Sequence, residues 1–416
     1  MAETARLITT TPQACATEIM AALPHRRLWV ERVTLTGFRN YASIGVEAGP
    51  GPVVLVGANG AGKTNLLEAL SMLAPGQGLR RAPFSELASS SGDGSWAVAA
   101  RVHSRLGVVD IGTGMGFGGR GGRLSRGESP RATRSVRIDG VGQSSSGILA
   151  DYVEMVWLTP AMDGLFSGPA SERRRFLDRL ILCFDPSYRT IAGRFERAMT
   201  SRNRLLSDGI RDNAQLEGLE LQMAETGVAI AAARVEAVSA LSAVIQARRA
   251  REPNSAFPWS TVAIDGTTES ALAMQPALEV EDAYARTLRS SRERDRAAGR
   301  TLDGPHRSDL IVGHGPKSTA ARLCSTGEQK ALLLGLVLAH AEMVAERQDG
   351  TAPILLLDEV TAHLDDVRRA ALFAEILRLG TQAWMTGNDR VAFDALSEHA
   401  RFLEIENGSA GMPRST

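Results

Sequence analysis

Eight consecutive residues, Gly57-Ala58-Asn59-Gly60-Ala61-Gly62-Lys63-Thr64, constrain this chain more than any other stretch. They fit G-x-x-x-x-G-K-[ST], and their flanks suit it. Ahead of them Val53-Val54-Leu55-Val56 reads as a short buried strand, and Asn65-Leu66-Leu67-Glu68-Ala69-Leu70 behind them is strongly helix-forming. A glycine loop between strand and helix turns backbone N–H groups inward around phosphate oxygens, helped by the helix N-terminus. In that setting Lys63 bridges the β- and γ-phosphates of ATP, and Thr64 offers its hydroxyl to Mg²⁺. Asn65 continues the loop into the helix. The plainer alternative is a glycine turn that merely opens a helix. That alternative does not call for a lysine, and the chain contains just Lys63, Lys317 and Lys330 among 47 basic residues.

A length of 416 residues suits two or three domains at ~100–200 residues each. The three cysteines, Cys15, Cys183 and Cys324, stand at unrelated spacings, so neither a disulfide framework nor a CxxC metal site is expected. No uninterrupted apolar run reaches the ~18–20 residues that span a bilayer. Residues 1–27 lack an apolar core followed by a cleavage site, and they read as a frayed extension. These features point to a cytoplasmic protein without a membrane partner. Formal charge is zero, but it is polarised. Residues 171–204 carry nine arginines against four acids, and residues 352–406 carry ten acids against five bases. Between Gly112 and Gly122 seven of eleven residues are glycine, which predicts loose loops around short strands at Trp96–Val102 and Val136–Asp139.

A second set of motifs belongs with the first. Ile354-Leu355-Leu356-Leu357-Asp358-Glu359 is an apolar strand that ends in two carboxylates. Beside a phosphate loop, the first acid supports Mg²⁺ and the second, Glu359, polarises the attacking water as general base. Ser325-Thr326-Gly327-Glu328-Gln329 precedes an apolar helix and reads as a capping box. Its place ahead of the acid-ended strand is also that of the signature loop of ABC-type ATPases, which contacts a nucleotide held by the opposite subunit. Leu364 and Asp365 fall at the D-loop position. No histidine occupies the switch position, where Thr386 offers a hydroxyl instead. A Q-loop glutamine is missing, with Gln143 in a Ser-rich loop and Asp163 as a substitute candidate.

In this order and spacing the motifs resemble the RecF family of DNA replication and repair proteins. Leu35-Thr36-Gly37-Phe38-Arg39-Asn40-Tyr41, Arg173-Arg174-Arg175-Phe176-Leu177-Asp178-Arg179, Arg202-Asn203-Arg204 and Thr301-Leu302-Asp303-Gly304-Pro305-His306-Arg307 carry the resemblance beyond the ATPase motifs. It implies an α/β, ABC-type P-loop ATPase head split in sequence by a helical lid. The expected layout is an extension at 1–27, one half of the head at 28–165, a lid at 166–300 and the second half at 301–416. It also implies an ATP-dependent, head-to-tail homodimer with slow hydrolysis, with Phe38–Tyr41 beside the nucleotide. Sequence-independent binding to DNA gaps and junctions follows, with RecO, RecR and RecA as partners. Arg173, Arg174, Arg175, Arg179, Arg202 and Arg204 are the candidate phosphate contacts. The rival readings are a transporter ATPase, which needs a Q-loop glutamine, and a clamp that binds ATP without turnover.

Overall fold

A computed structural model describes residues 27–116, 134–209, 212–406 and 408–411. Most of the extension expected at 1–27 and part of the glycine-rich loop lie outside the described residues. The N-terminal text folds as a hairpin, Trp29–Phe38 and Tyr41–Glu47, turning at Arg39 with φ 53°. The hairpin joins Trp96–Ser104, Gly107–Met115, Ser135–Ile138 and Val141–Gln143 in a six-stranded antiparallel sheet.

A second six-stranded sheet holds the motifs. Its order is Ser409–Gly411, Arg401–Glu406, Val53–Val56, Ala383–Gly387, Ile354–Leu357 and Met155–Leu158, all parallel except the Ser409–Gly411 edge. Successive side chains on a strand point to opposite faces, so both faces of these short apolar runs are buried. Leu55, Leu356, Trp384 and Ile405 pack with the antiparallel sheet and the Lys63–Ser71 helix. Val54, Leu355, Leu357 and Met385 pack with the Thr326–Arg347 helix and the helices beyond it. Gln382, fully buried, ties the two sheets together. Its amide donates to the Val30 and Gly49 carbonyls at 2.9 and 2.7 Å, and its oxygen accepts from the Val30 N–H and the Trp384 indole.

The helical reading of 171–251 resolves into Ala170–Leu182, Tyr188–Ser207 and Asn213–Arg251, followed by Thr267–Leu272, Ala277–Ser290 and Arg292–Ala298. The layer is not purely helical. Ser260–Asp265 pairs with Asp309–His314, which pairs with Thr319–Ala320, so a small sheet crosses the expected division at 300/301. Within Asn213–Arg251 an 18-residue window reaches a mean hydropathy of 1.8, long and apolar enough to cross a membrane by composition. Arg234 and Glu236 interrupt it, so the expectation that no uninterrupted apolar run of that length occurs still holds. Much of its apolar surface, including Val228, Ile230 and Leu241, is packed inside the protein.

One expected DNA contact becomes a structural hub. Arg202 is 0% exposed. Its guanidinium bonds Glu220 at 3.1 Å, Asp295 at 2.8 Å, the Thr301 hydroxyl at 2.9 Å and the Leu288 carbonyl at 2.7 Å. Enclosed in this way, it reaches no phosphate on a surface. Arg202→Ala leaves buried Asp295 without its cation and Glu220 with Arg292 alone, so stability should fall by about 3–5 kcal/mol. Urea unfolding measures this, and an unchanged midpoint would contradict the hub.

Candidate functional site

The glycine loop leaves the Val53–Val56 strand and enters the Lys63–Ser71 helix under two steric constraints. Gly57 has φ 150°, and a Cβ there would lie 2.3 Å from the Ile405 carbonyl oxygen. Gly62 has φ 120°, with a Cβ 2.6 Å from Asn40 Nδ2 and 2.7 Å from Tyr41 Oη. Glycine is the residue that fits both positions. The hairpin braces the loop from behind, because Tyr41 Oη donates to the Gly62 carbonyl at 3.0 Å and Asn40 Nδ2 to that of Ala61 at 3.1 Å. Phe38, expected beside the nucleotide, is instead core and packs edge-on against Trp96 at 5.6 Å.

Lys63 folds back over the loop mouth. Its Nζ donates to the carbonyls of Gly57 at 2.6 Å and Ala58 at 2.9 Å, and to Asn388 Oδ1 at 3.1 Å. Burial lowers its pKa, while the charges of Glu359 and Asp358 oppose that shift. An ammonium held by neutral acceptors alone is matched to an anion. Asn59, Gly60, Lys63, Thr64, Arg80 and Glu359 line a hollow of about 140 Å³ at this point.

On the far side of the loop, hydroxyls and carboxylates meet. Thr64 Oγ1 donates to Asp358 Oδ1 at 2.9 Å, and Thr386 Oγ1 donates to the same oxygen at 2.8 Å. The sheet order explains the meeting, because Ala383–Gly387 runs between the strand that feeds the loop and the strand that ends in Asp358. Thr386, the hydroxyl offered at the switch position, is committed to this bridge. It is fully buried, and its Oγ1 also accepts the Glu359 N–H at 2.7 Å. Glu359 itself has φ 48°, a left-handed backbone of the kind that costs roughly 1–3 kcal/mol and collects at functional sites.

A wider cleft of about 570 Å³ continues from the hollow, lined by Arg80, Arg81, Trp157, Thr159, Met162 and Arg179 among others. Arg179, expected on a DNA face, stacks 4.6 Å over the Trp157 ring at the cleft wall. Burial, then the charge of Arg81, pulls its pKa down to about 10. Gln143 sits on the edge strand of the antiparallel sheet and bonds the Val141 carbonyl, outside this cleft. Asp163 lies half-buried near Lys330.

The signature residues stand apart from the loop of their own chain. Ser325 caps the Thr326–Arg347 helix in a complete capping box with Glu328, so the plainer reading also holds. Lys317 and the Ser325 N–H pull the Glu328 carboxyl down to about 2. Gln329 is turned inward, donating to the Cys324 carbonyl at 2.9 Å and accepting from Ser167 at 3.2 Å. Ser325 and Thr326 are exposed. Across from them a Cβ on Gly327 would lie 3.7 Å from the His363 carbonyl, which sets the D-loop alongside. There Leu364 is buried, and Asp365 caps the Asp366–Leu379 helix through the Arg368 N–H at 2.8 Å.

Residues 29–401 match the family model of the RecF/RecN/SMC N terminal domain. A DNA replication and repair protein RecF of Mesorhizobium japonicum is 51% identical over 384 residues, covering 92% of this chain and 97% of that protein. Its counterpart in Brucella suis is 51% identical over 383 residues, covering 92% and 96%. The chain belongs to the RecF family. Among solved structures, the recombination mediator protein RecF-ATPrS in the RecFOR pathway superposes with a TM-score of 0.78 at 22% identity, covering 92% of this chain and 98% of that one. At that identity the likeness speaks for the fold, and the expected α/β ABC-type P-loop head is met.

The remaining arginines of this RecF-family chain divide by their partners. Arg173 grips Asp309 with two bonds of 2.8 and 2.7 Å, and Arg174 reaches the Ser308 carbonyl at 2.5 Å. Arg175 pairs with Glu172 at the surface, and Arg204 is 83% exposed beside Asp208. Sequence reasoning missed Arg80, Asn388 and Lys330. Only the lysine carried a signal, since a lysine is rare in this arginine-rich chain. Thr386→Val keeps the shape of the strand but strips Asp358 and the Glu359 N–H of a partner. Stability should fall by about 1–3 kcal/mol, read by urea denaturation; an unchanged midpoint would contradict the bridge.

Proposed function

We propose that this chain is an ATP-dependent DNA-binding protein of recombinational repair and replication-fork maintenance. Two copies close head to tail on ATP and reopen on slow hydrolysis. The single observation that carries this reading is a division of labour. Asn59, Gly60, Gly62, Lys63, Thr64 and Glu359 line the hollow and Asp358 the cleft that continues from it, while the capped, exposed Ser325 helix end shares no lining residue with either. A nucleotide in the hollow would expose its γ-phosphate outward, where a second copy's helix N-terminus is the kind of group that binds anions. Leu323, 66% exposed, and Val367, 69% exposed, flank the signature and the D-loop as apolar seams for that copy.

The chemistry follows from the contacts. Gly57–Asn65 would cradle the phosphates, with Lys63 exchanging its carbonyl partners for phosphate oxygens. Thr64 and Asp358 present hard oxygens on one side of the loop and fit Mg²⁺, which when bound neutralises phosphate charge. Glu359, directed by its left-handed backbone, is the group to take a proton from the attacking water. The neighbour solved as RecF-ATPrS supports ATP as the nucleotide. Arg174, Arg175 and Arg204 remain candidates for sequence-independent contact with DNA gaps or junctions. RecO, RecR and RecA, in the cytoplasm, are the partners that the family resemblance supports.

Lys63→Ala removes charge-assisted bonds and should weaken ATP binding roughly ten- to hundredfold; a nucleotide titration that matches the native protein would contradict the loop's role. Ser325→Arg should leave ATP affinity of the monomer in place and abolish the ATP-induced dimer in sedimentation. A dimer that persists in this variant would contradict the sandwich.

A further inference from the structure

The Thr326–Arg347 helix has a second functional side chain, and it faces into its own chain. Lys330 is 1% exposed, and its Nζ donates to the backbone carbonyl of Glu359 at 3.1 Å. Asp163 Oδ2 stands 3.9 Å from the same ammonium, and Asp163 Oδ1 is buried without a hydrogen-bond partner. An ammonium is costly to bury, and the residues that follow it, Ala331 to Leu334, are all apolar core. A leucine at 330 would fill comparable space at no electrostatic cost. The return on the charge lies in what it holds.

What it holds is the peptide unit after Glu359. Thr386 fixes the N–H on one side of this left-handed residue, and Lys330 fixes the carbonyl on the other. The direction of the carboxylate into the cleft is therefore set by two flanking planes, one of which is tied to the signature helix. From the cap at Ser325 to Lys330 is about 7.5 Å along a stiff rod at ~1.5 Å per residue. The helix carries a displacement of the cap to the Lys330 backbone, and the buried side chain links it to the Glu359 carbonyl.

We propose that Lys330 is a positioning residue that brings Glu359 into working geometry when the signature helix of the same chain is seated on a second copy's nucleotide. The proposal rests on the ATP sandwich described above. Each chain's Ser325 would contact its partner's nucleotide, while its Lys330 sets its own Glu359. The first turns of one helix then join the two composite sites, and turnover depends on dimer engagement.

The test uses the full chain and measures ATP affinity, solution mass with Mg-ATP, and ATP turnover per chain across protein concentrations. In the native protein turnover per chain should rise with the fraction of dimer. Lys330→Met should bind ATP and dimerise as the native protein does, yet stay low in turnover at saturating dimer, with kcat down on the order of ten- to hundredfold and KM little changed. Lys330→Arg, which keeps a donor for the Glu359 carbonyl, should restore most of the rise. If Lys330→Met unfolds, the double variant Lys330→Met with Asp163→Leu removes the orphaned carboxylate and carries the same expectation. Lys330→Met dimers that turn over at the native rate would overturn the proposal while leaving the sandwich intact. A native protein whose mass ignores ATP would overturn both.

Discussion

One carboxylate oxygen organises the site. Asp358 Oδ1 accepts from Thr64 at the start of the phosphate-loop helix and from Thr386 on the neighbouring strand. Three elements far apart in sequence are thereby fixed to within a hydrogen bond of each other. The arrangement needs the sheet order that places Ala383–Gly387 between the other two strands. It also needs both faces of that sheet to be buried, so that a polar bridge at the strand ends sits in a poorly solvated rim where hydrogen bonds are strong. The strained backbone of Glu359 is held by the same hydroxyl, so metal-side and water-side chemistry share one support.

Charge does structural work elsewhere. Arg248 bonds Glu342 and also Glu375, and Arg378 reaches the same two carboxylates. That network links the long Asn213–Arg251 helix to the signature helix and to the helix that follows the D-loop. Arg234 joins Asp178 at 2.9 Å to the Pro305 and Ser308 turn, and Arg173 ties the same region through Asp309. The arginine-rich helices are thus largely cross-braced inside the molecule, and fewer arginines face outward than a count of charges implies.

Local pattern made much of this legible. VVLV and ILLL read as strands because both faces are apolar, and the glycine loop and capping box announce themselves by spacing. Partners supplied by distant strands did not read in advance. Thr386 looked like a free hydroxyl at a strand end until strand order placed Asp358 beside it. Arg202 shows how an arginine can mislead: charge alone put it on the surface. Yet it falls on the stripe Phe195, Ala198 and Leu206 of its helix, all buried, and that periodicity marked it for the interior. Arg179 is similar, with Phe176, Leu177 and Leu180 around it in the core.

The claim on which the rest hangs is that ATP joins two copies across Ser325 and the glycine loop. Its most direct measurement is the solution mass of the Glu359→Gln protein, with and without Mg-ATP, repeated with a gapped duplex. Removing the base while keeping the site's shape should trap an ATP-dependent dimer that binds the duplex more tightly and in a salt-sensitive way. A mass that ATP leaves at the monomer value would contradict the sandwich.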